Sequence, residues 1–138
     1  MSYDRPRRLT DCVDSFIHSA KLLKEEFERS PSVLGIALLV NAAFASEVAM
    51  KRHIEITTSK PVRGHKLREL WDQIAATDQE KLIPLICRPI PLDKSRFDQY
   101  LDECSLTFVD WRYIYEKDDN FSNYLFLTNL ATEVRKLK

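Results

Sequence analysis

Glycine is nearly absent from this chain: Gly35 and Gly64 are the only two among 138 residues. With so few residues that take positive φ cheaply, tight hairpin turns are hard to build. No stretch alternates apolar and polar residues convincingly at period two, so strands are disfavoured. Cysteine is scarce and odd in number. Cys12, Cys87 and Cys104 are scattered, with no Cys-x-x-Cys or Cys/His spacing. Neither a disulfide framework nor a zinc site is supported, and no metal or cofactor is expected.

Net charge is missing as well. Twenty-one Lys and Arg balance twenty-one Asp and Glu, whereas a general nucleic-acid coating protein carries a basic excess. Arg5, Arg7 and Arg8 form the one basic cluster, and residues 1–8 read as a flexible basic tail before a domain core of about 10–137. The longest apolar run, 33–50, is interrupted by Asn41, Ser46 and Glu47, so it reads as a buried core helix and not a membrane span. Reduced thiols and the lack of a secretory leader lead us to expect a cytoplasmic protein. A single domain spanning 1–138 can bury roughly two-thirds of its unfolded surface, enough for a core without staples.

What is present is helical periodicity. Leu9, Val13, Phe16, Ala20, Leu23 and Phe27 step by four and three, predicting a helix over about 9–28. His18 falls on its wet side. Ser30-Pro31 predicts an N-cap and first helical position for a second helix reaching about Ile56. That helix is apolar nearly all round and rich in small residues, including Gly35, Ala42, Ala43, Ala45 and Ala49. A helix without a wet face must be surrounded, so it is the expected hub.

Residues 57–63 read as a loop, followed after Gly64-His65 by a short helix carrying Leu67, Leu70, Trp71 and Ile74. Thr77 and Glu80 have capping-box spacing for another short helix, limited or kinked by Pro84. Arg88-Pro89-Ile90-Pro91 reads as extended, and Asp93 can cap a long helix to about Glu116. After a turn over 118–122, Leu127, Leu130, Val134 and Leu137 mark a last helix. The expected fold is all-α: a bundle of four long helices, with a crossover at about 57–92 carrying two short ones.

A few polar residues do not suit a plain core. Glu47 lies on an apolar stripe of the hub helix, where a carboxylate is costly unless paired. Two readings stand: a local pair with Lys51 where the helix emerges into solvent, or a buried acid holding an arginine from another helix. Asn41 reads as an amide tying helices together, with ligand contact as the alternative. The block Phe108–Glu116, F-V-D-W-R-Y-I-Y-E, sets Arg112 against an aromatic wall containing Tyr115. Arg112 can pair with Glu116 or Glu47, or its planar fork can grip a carboxylate or phosphate. His65 caps or packs against a helix, or serves as a proton-transfer group.

Three blocks in order, N-A-A-F-A-S-E-V-A-M-K at 41–51, G-H-K-L-R-E-L-W at 64–71 and 108–116, resemble a bacterial branch of the HEPN (higher eukaryotes and prokaryotes nucleotide-binding) domains. The resemblance covers about residues 10–137 and implies an α-helical bundle that forms a homodimer. It implies either a metal-independent ribonuclease, of a kind found in toxin–antitoxin and defence systems, or a non-catalytic module. Such a module binds nucleotide, RNA or a protein partner such as a nucleotidyltransferase. The ribonuclease members carry an Arg, four to six residues, then a His. Arg112 resembles that arginine, but the positions due for histidine are Lys117, Asp118 and Asp119. No arginine stands at the matching distance before His18, His53 or His65 either.

The resemblance therefore implies a binding module with Glu47, Lys51, His65, Arg112, Tyr115 and Glu116 as the site. The alternatives are a ribonuclease with a noncanonical centre, using His65 and Arg112, and a purely structural helical adaptor.

Overall fold

A computed structural model describes residues 5–30, 34–88, 94–109 and 121–137. Among the described residues the chain is all helical, as expected. In chain order the helices are α1 (Arg5–Arg29), α2 (Leu34–Thr58), α3 (Leu67–Asp72), α4 (Ala76–Cys87), α5 (Lys94–Val109) and α6 (Phe121–Lys136).

The hub assignment of α2 holds for a physical reason. Ala42, Ala43, Ala45 and Ala49 are all buried, and with no bulk beyond Cβ they let two helices close on α2 from different sides. Against them come Val13, Ile17 and Ala20 from α1, and Phe126, Leu127, Leu130, Ala131 and Val134 from α6. Each fully buried large aliphatic side chain contributes about 1.5–3 kcal/mol through apolar burial.

Helix α1 runs antiparallel to α2. Arg5 meets Glu55 at one end, Phe16 stacks on Phe44 at 5.3 Å midway, and Phe27 lies against Gly35 at the other end. A Cβ added at Gly35 would sit 2.9 Å from the Phe27 ring, so the close approach depends on the missing side chain. Helix α6 completes the trio. Ser46 on α2 donates to the Leu127 carbonyl at 2.8 Å, and Tyr124 meets Phe27 edge to face at 5.9 Å.

Several boundaries depart from the periodicity. Helix α1 starts at Arg5, within the stretch expected as a tail, and Arg5 grips Glu55 with two guanidinium nitrogens at 2.6 and 3.0 Å. A tertiary carboxylate fifty residues away is invisible to local pattern. Thr77 is not an N-cap: α4 begins at Ala76 without a side-chain cap. Gln79 instead donates to the Trp71 and Ile74 carbonyls, closing the end of α3. Pro84 lies inside α4, which continues to Cys87. Helix α6 starts at Phe121, earlier than the last apolar stripe suggested. The extended Pro89–Pro91 segment, the Asp93 cap, the Pro31 start and the stretch 110–120 lie outside the described residues.

The end of α2 leads into the loop that carries His65. Thr57 and Thr58 hydroxyls donate to the His53 and Ile54 carbonyls, and Ser59 turns the chain at φ 60°. Gly64 then takes φ 115°, a conformation in which a side chain is strained. Helix α3 docks on α5 through Trp71 against Phe97 at 4.8 Å, with Leu67 and Leu70 fully buried.

Candidate functional site

Glu47 and Lys51 stand one turn apart on α2, and Lys51 Nζ donates to Glu47 Oε2 at 2.9 Å. The local-pair reading is therefore right about the partner and wrong about the setting. Glu47 is only 4% exposed, and the Lys51 side chain 15%, so the pair does not lie where the helix emerges. Among the described residues no arginine reaches this carboxylate.

The second partner comes from the crossover. His65 Nδ1 lies 3.1 Å from the same Glu47 Oε2. It neither caps α3, whose N-cap position is Lys66, nor packs inside the core, since 70% of its side chain is exposed. Nδ1 is thus turned to a buried carboxylate while most of the side chain is exposed. A hydrogen bond of this kind selects the tautomer and fixes the ring orientation. The other Glu47 oxygen, Oε1, is buried and has no hydrogen-bond partner among the described residues. A buried polar atom left in this state costs about 1–3 kcal/mol.

His65 is held by its surroundings. Three residues on, the Arg68 backbone N–H donates to Ser105 Oγ at 2.8 Å, and that hydroxyl donates to the Leu101 carbonyl at 2.9 Å. The Arg68 side chain reaches Asp98 at 3.0 Å and Asp102 at 3.1 Å on α5. Burial pulls the guanidinium pKa down, but Asp98, Asp102 and Asp72 outweigh it and hold it above the ordinary value. At the other end of the loop, the Val62 N–H donates to Glu55 Oε2 at 3.3 Å. The hydrogen bond from Arg5 holds Glu55 below the usual carboxylate value, against the opposing effect of burial.

Of the expected site residues, the fold unites Glu47, Lys51 and His65. Arg112, Tyr115 and Glu116 lie outside the described residues. Asn41 does not tie helices together: its amide donates to the Ala37 carbonyl of its own helix at 2.9 Å. Periodicity also missed His53, buried on α2, whose Nε2 lies 3.1 Å from Asp78 Oδ2 on α4. No spacing rule links partners 25 residues apart; the only available signal was a histidine on an otherwise apolar helix.

Among the described residues there is no cluster of His, Cys, Asp and Glu that could hold a metal ion, and no helix is long and apolar enough to cross a membrane. Comparisons with protein-family models, curated proteins and solved structures found no match.

Proposed function

We propose that the chain is a HEPN-like bundle of four long helices with a crossover at about 57–92, acting as a non-catalytic, homodimeric binding module. Its ligand is nucleotide or RNA, met at the mouth formed by Lys51 and His65 over Glu47. In this reading Arg112, Tyr115 and Glu116 complete the same site from the late aromatic block. The phosphate meets cationic groups while an aromatic side chain stacks on a base.

The observation that carries the reading is a buried carboxylate linked to a mostly exposed imidazole. As a packing device this is poor, because apolar residues of similar volume often stabilise as well as or better than a buried ion pair. As a way to hold a polar ligand-facing group rigid it is effective, since a hydrogen bond from behind locks the ring that meets the ligand. The orphaned Oε1 adds an acceptor that an amino group or a ribose hydroxyl could use once the mouth opens.

Fluorescence anisotropy with nucleotides and short RNAs at low salt tests the proposal. Binding that weakens in His65→Ala and Glu47→Gln, with the fold intact by circular dichroism, is expected. No binding of either ligand class at low salt would overturn it, and capture of a protein partner instead would transfer the site to that role.

The contact between His65 and Glu47 also favours a second reading, a metal-independent ribonuclease. His65 Nε2 would accept the proton of an RNA 2′-hydroxyl, and the 2′-oxygen would attack the adjacent phosphorus. The P–O5′ bond would break, the leaving 5′-oxygen would take a proton, and a 2′,3′-cyclic phosphate would remain. Arg112 would stabilise the developing phosphate charge. Cleavage in the presence of chelator that disappears in both His65→Ala and Arg112→Ala would select this reading over the first.

A further inference from the structure

A second concentration of charge lies on a different part of the surface, where α1, α2 and the end of α6 meet. Asp14, Ile17, His18 and Lys21 of α1 face Thr132, Arg135 and Lys136 of α6 across an open groove. Arg52 of α2 is not part of that lining. Its Nε donates to Thr10 Oγ1 at 2.6 Å, one turn of α1 before Asp14, where the lining begins.

Arg52 is in an unusual position for a cation. It is half-buried, and among the described residues no carboxylate lies within ion-pairing distance of it. Its pKa is lowered, first by burial and then by the neighbouring Arg135 guanidinium, with Asp14 only partly compensating. Asp14 is already engaged, because both its oxygens accept from Arg135, at 2.7 and 3.3 Å. Among the described residues, the groove lining carries three permanent cations, Lys21, Arg135 and Lys136, against one carboxylate, Asp14. Arg52 is one turn beyond it, at Thr10, and Glu133 is paired to Lys136. In a chain of zero net charge, this local excess is a feature of the fold and not of the composition.

We propose that the α1–α2–α6 seam is a phosphate-binding site, with Arg52 as the principal anion-gripping residue and Lys21, Arg135 and Lys136 extending it along the groove. A guanidinium that lacks a carboxylate matches phosphate through its planar fork. From Thr10 to Lys21 the row runs about 16 Å along α1, which suits a chain of phosphates better than a single small anion. The site is separate from Glu47 and does not depend on the reading given to it. The phosphates of a free nucleotide and of an RNA backbone have the same chemistry here.

Titration calorimetry with inorganic tripolyphosphate on the full chain tests the site. Arg52→Gln is expected to raise Kd about tenfold, the scale of one charge-assisted contact. Asp14→Asn, which removes the competing carboxylate, is expected to lower Kd severalfold. Lys21→Ala with Lys136→Ala weakens binding and lowers the salt dependence by about one unit of slope per lost contact, and these exposed changes leave the fold intact. Lys81→Ala, an exposed lysine on α4 outside both sites, should leave tripolyphosphate affinity unchanged.

Competition then identifies the source: displacement by a short single-stranded RNA points to a polymer, and displacement only by nucleoside triphosphate points to a free nucleotide. Tripolyphosphate affinity that is indifferent to both Arg52→Gln and the double lysine change, or that weakens in Asp14→Asn, overturns the proposal.

Discussion

Glu47 and His65, eighteen residues apart in the chain, meet at 3.1 Å between Oε2 and Nδ1. One partner is fixed by a long helix and the other by the six-residue helix next along the chain, so the contact depends on how α3 docks. It joins the most buried carboxylate of α2 to an imidazole at the surface, and it shares its oxygen with Lys51.

Removing Lys51 should expose how that carboxylate is tolerated. Lys51→Met leaves Glu47 buried without its cation, and a loss of about 2 kcal/mol in unfolding free energy is expected. Adding Glu47→Gln should restore part of it, because the uncompensated charge is then gone. Urea unfolding of both singles and the double gives the coupling directly, and a purely additive cycle would show that the pair does not act as a unit.

Gly64→Ala places a side chain at φ 115° and should cost roughly 1–2 kcal/mol. Because Gly64 aims the residue after it, the imidazole resonances of His65 should also shift in an NMR spectrum of the folded variant. Gly35→Ala provides the contrast. It meets the Phe27 ring at 2.9 Å and should lower stability through packing at the α1–α2 crossing, without moving His65.

The acid limb of stability should depend on Glu55. Its folded pKa is held below the ordinary value, chiefly by the hydrogen bond from Arg5. A depressed carboxylate contributes stability above its unfolded pKa and loses it as pH falls through the folded one. Thermal melts from about pH 6 downward should therefore show Glu55→Gln with a shallower decline than the parent chain. Superimposable slopes would deny the Arg5 contact any role in solution.

At the alkaline end Tyr124 should dominate. Burial, together with the nearby Glu28 carboxylate, pushes its hydroxyl up from 10.0 to about 12. The unfolded chain ionises this phenol first, so its contribution is complete below pH about 10 and is lost as pH rises towards about 12. Tyr124→Phe should flatten that decline. The same change should also remove a late-ionising component from the phenolate absorbance curve.

Helical content was legible because it is local. The four-three steps from Val13 to Phe27 and the small residues of α2 report burial on one face or on all faces, whatever the neighbours. The site was legible only as misfits. Glu47 stood out because a carboxylate on an apolar stripe must find a partner, and Lys51 was within reach of sequence spacing. His65 was not, because nothing in G-H-K-L says which way the ring turns after a positive-φ glycine. The Arg5 contact with Glu55, the Arg52 contact with Thr10, the Gln79 closure of α3 and the Ser105 hydroxyl under Arg68 all involve partners 5 to 50 residues away. No periodicity contains that information.

By itself, then, the order of residues determined that this chain is helical, which helix lies at the centre, and that a carboxylate is trapped on it. Those properties follow from side-chain volume and hydropathy repeating every turn. Tertiary structure alone decided that the trapped carboxylate faces an imidazole and that the Arg135 guanidinium closes on Asp14 from the far end of the chain. Such pairings depend on the angle and register of docked helices, which arise from the sum of many weak apolar contacts and are not encoded at any single position.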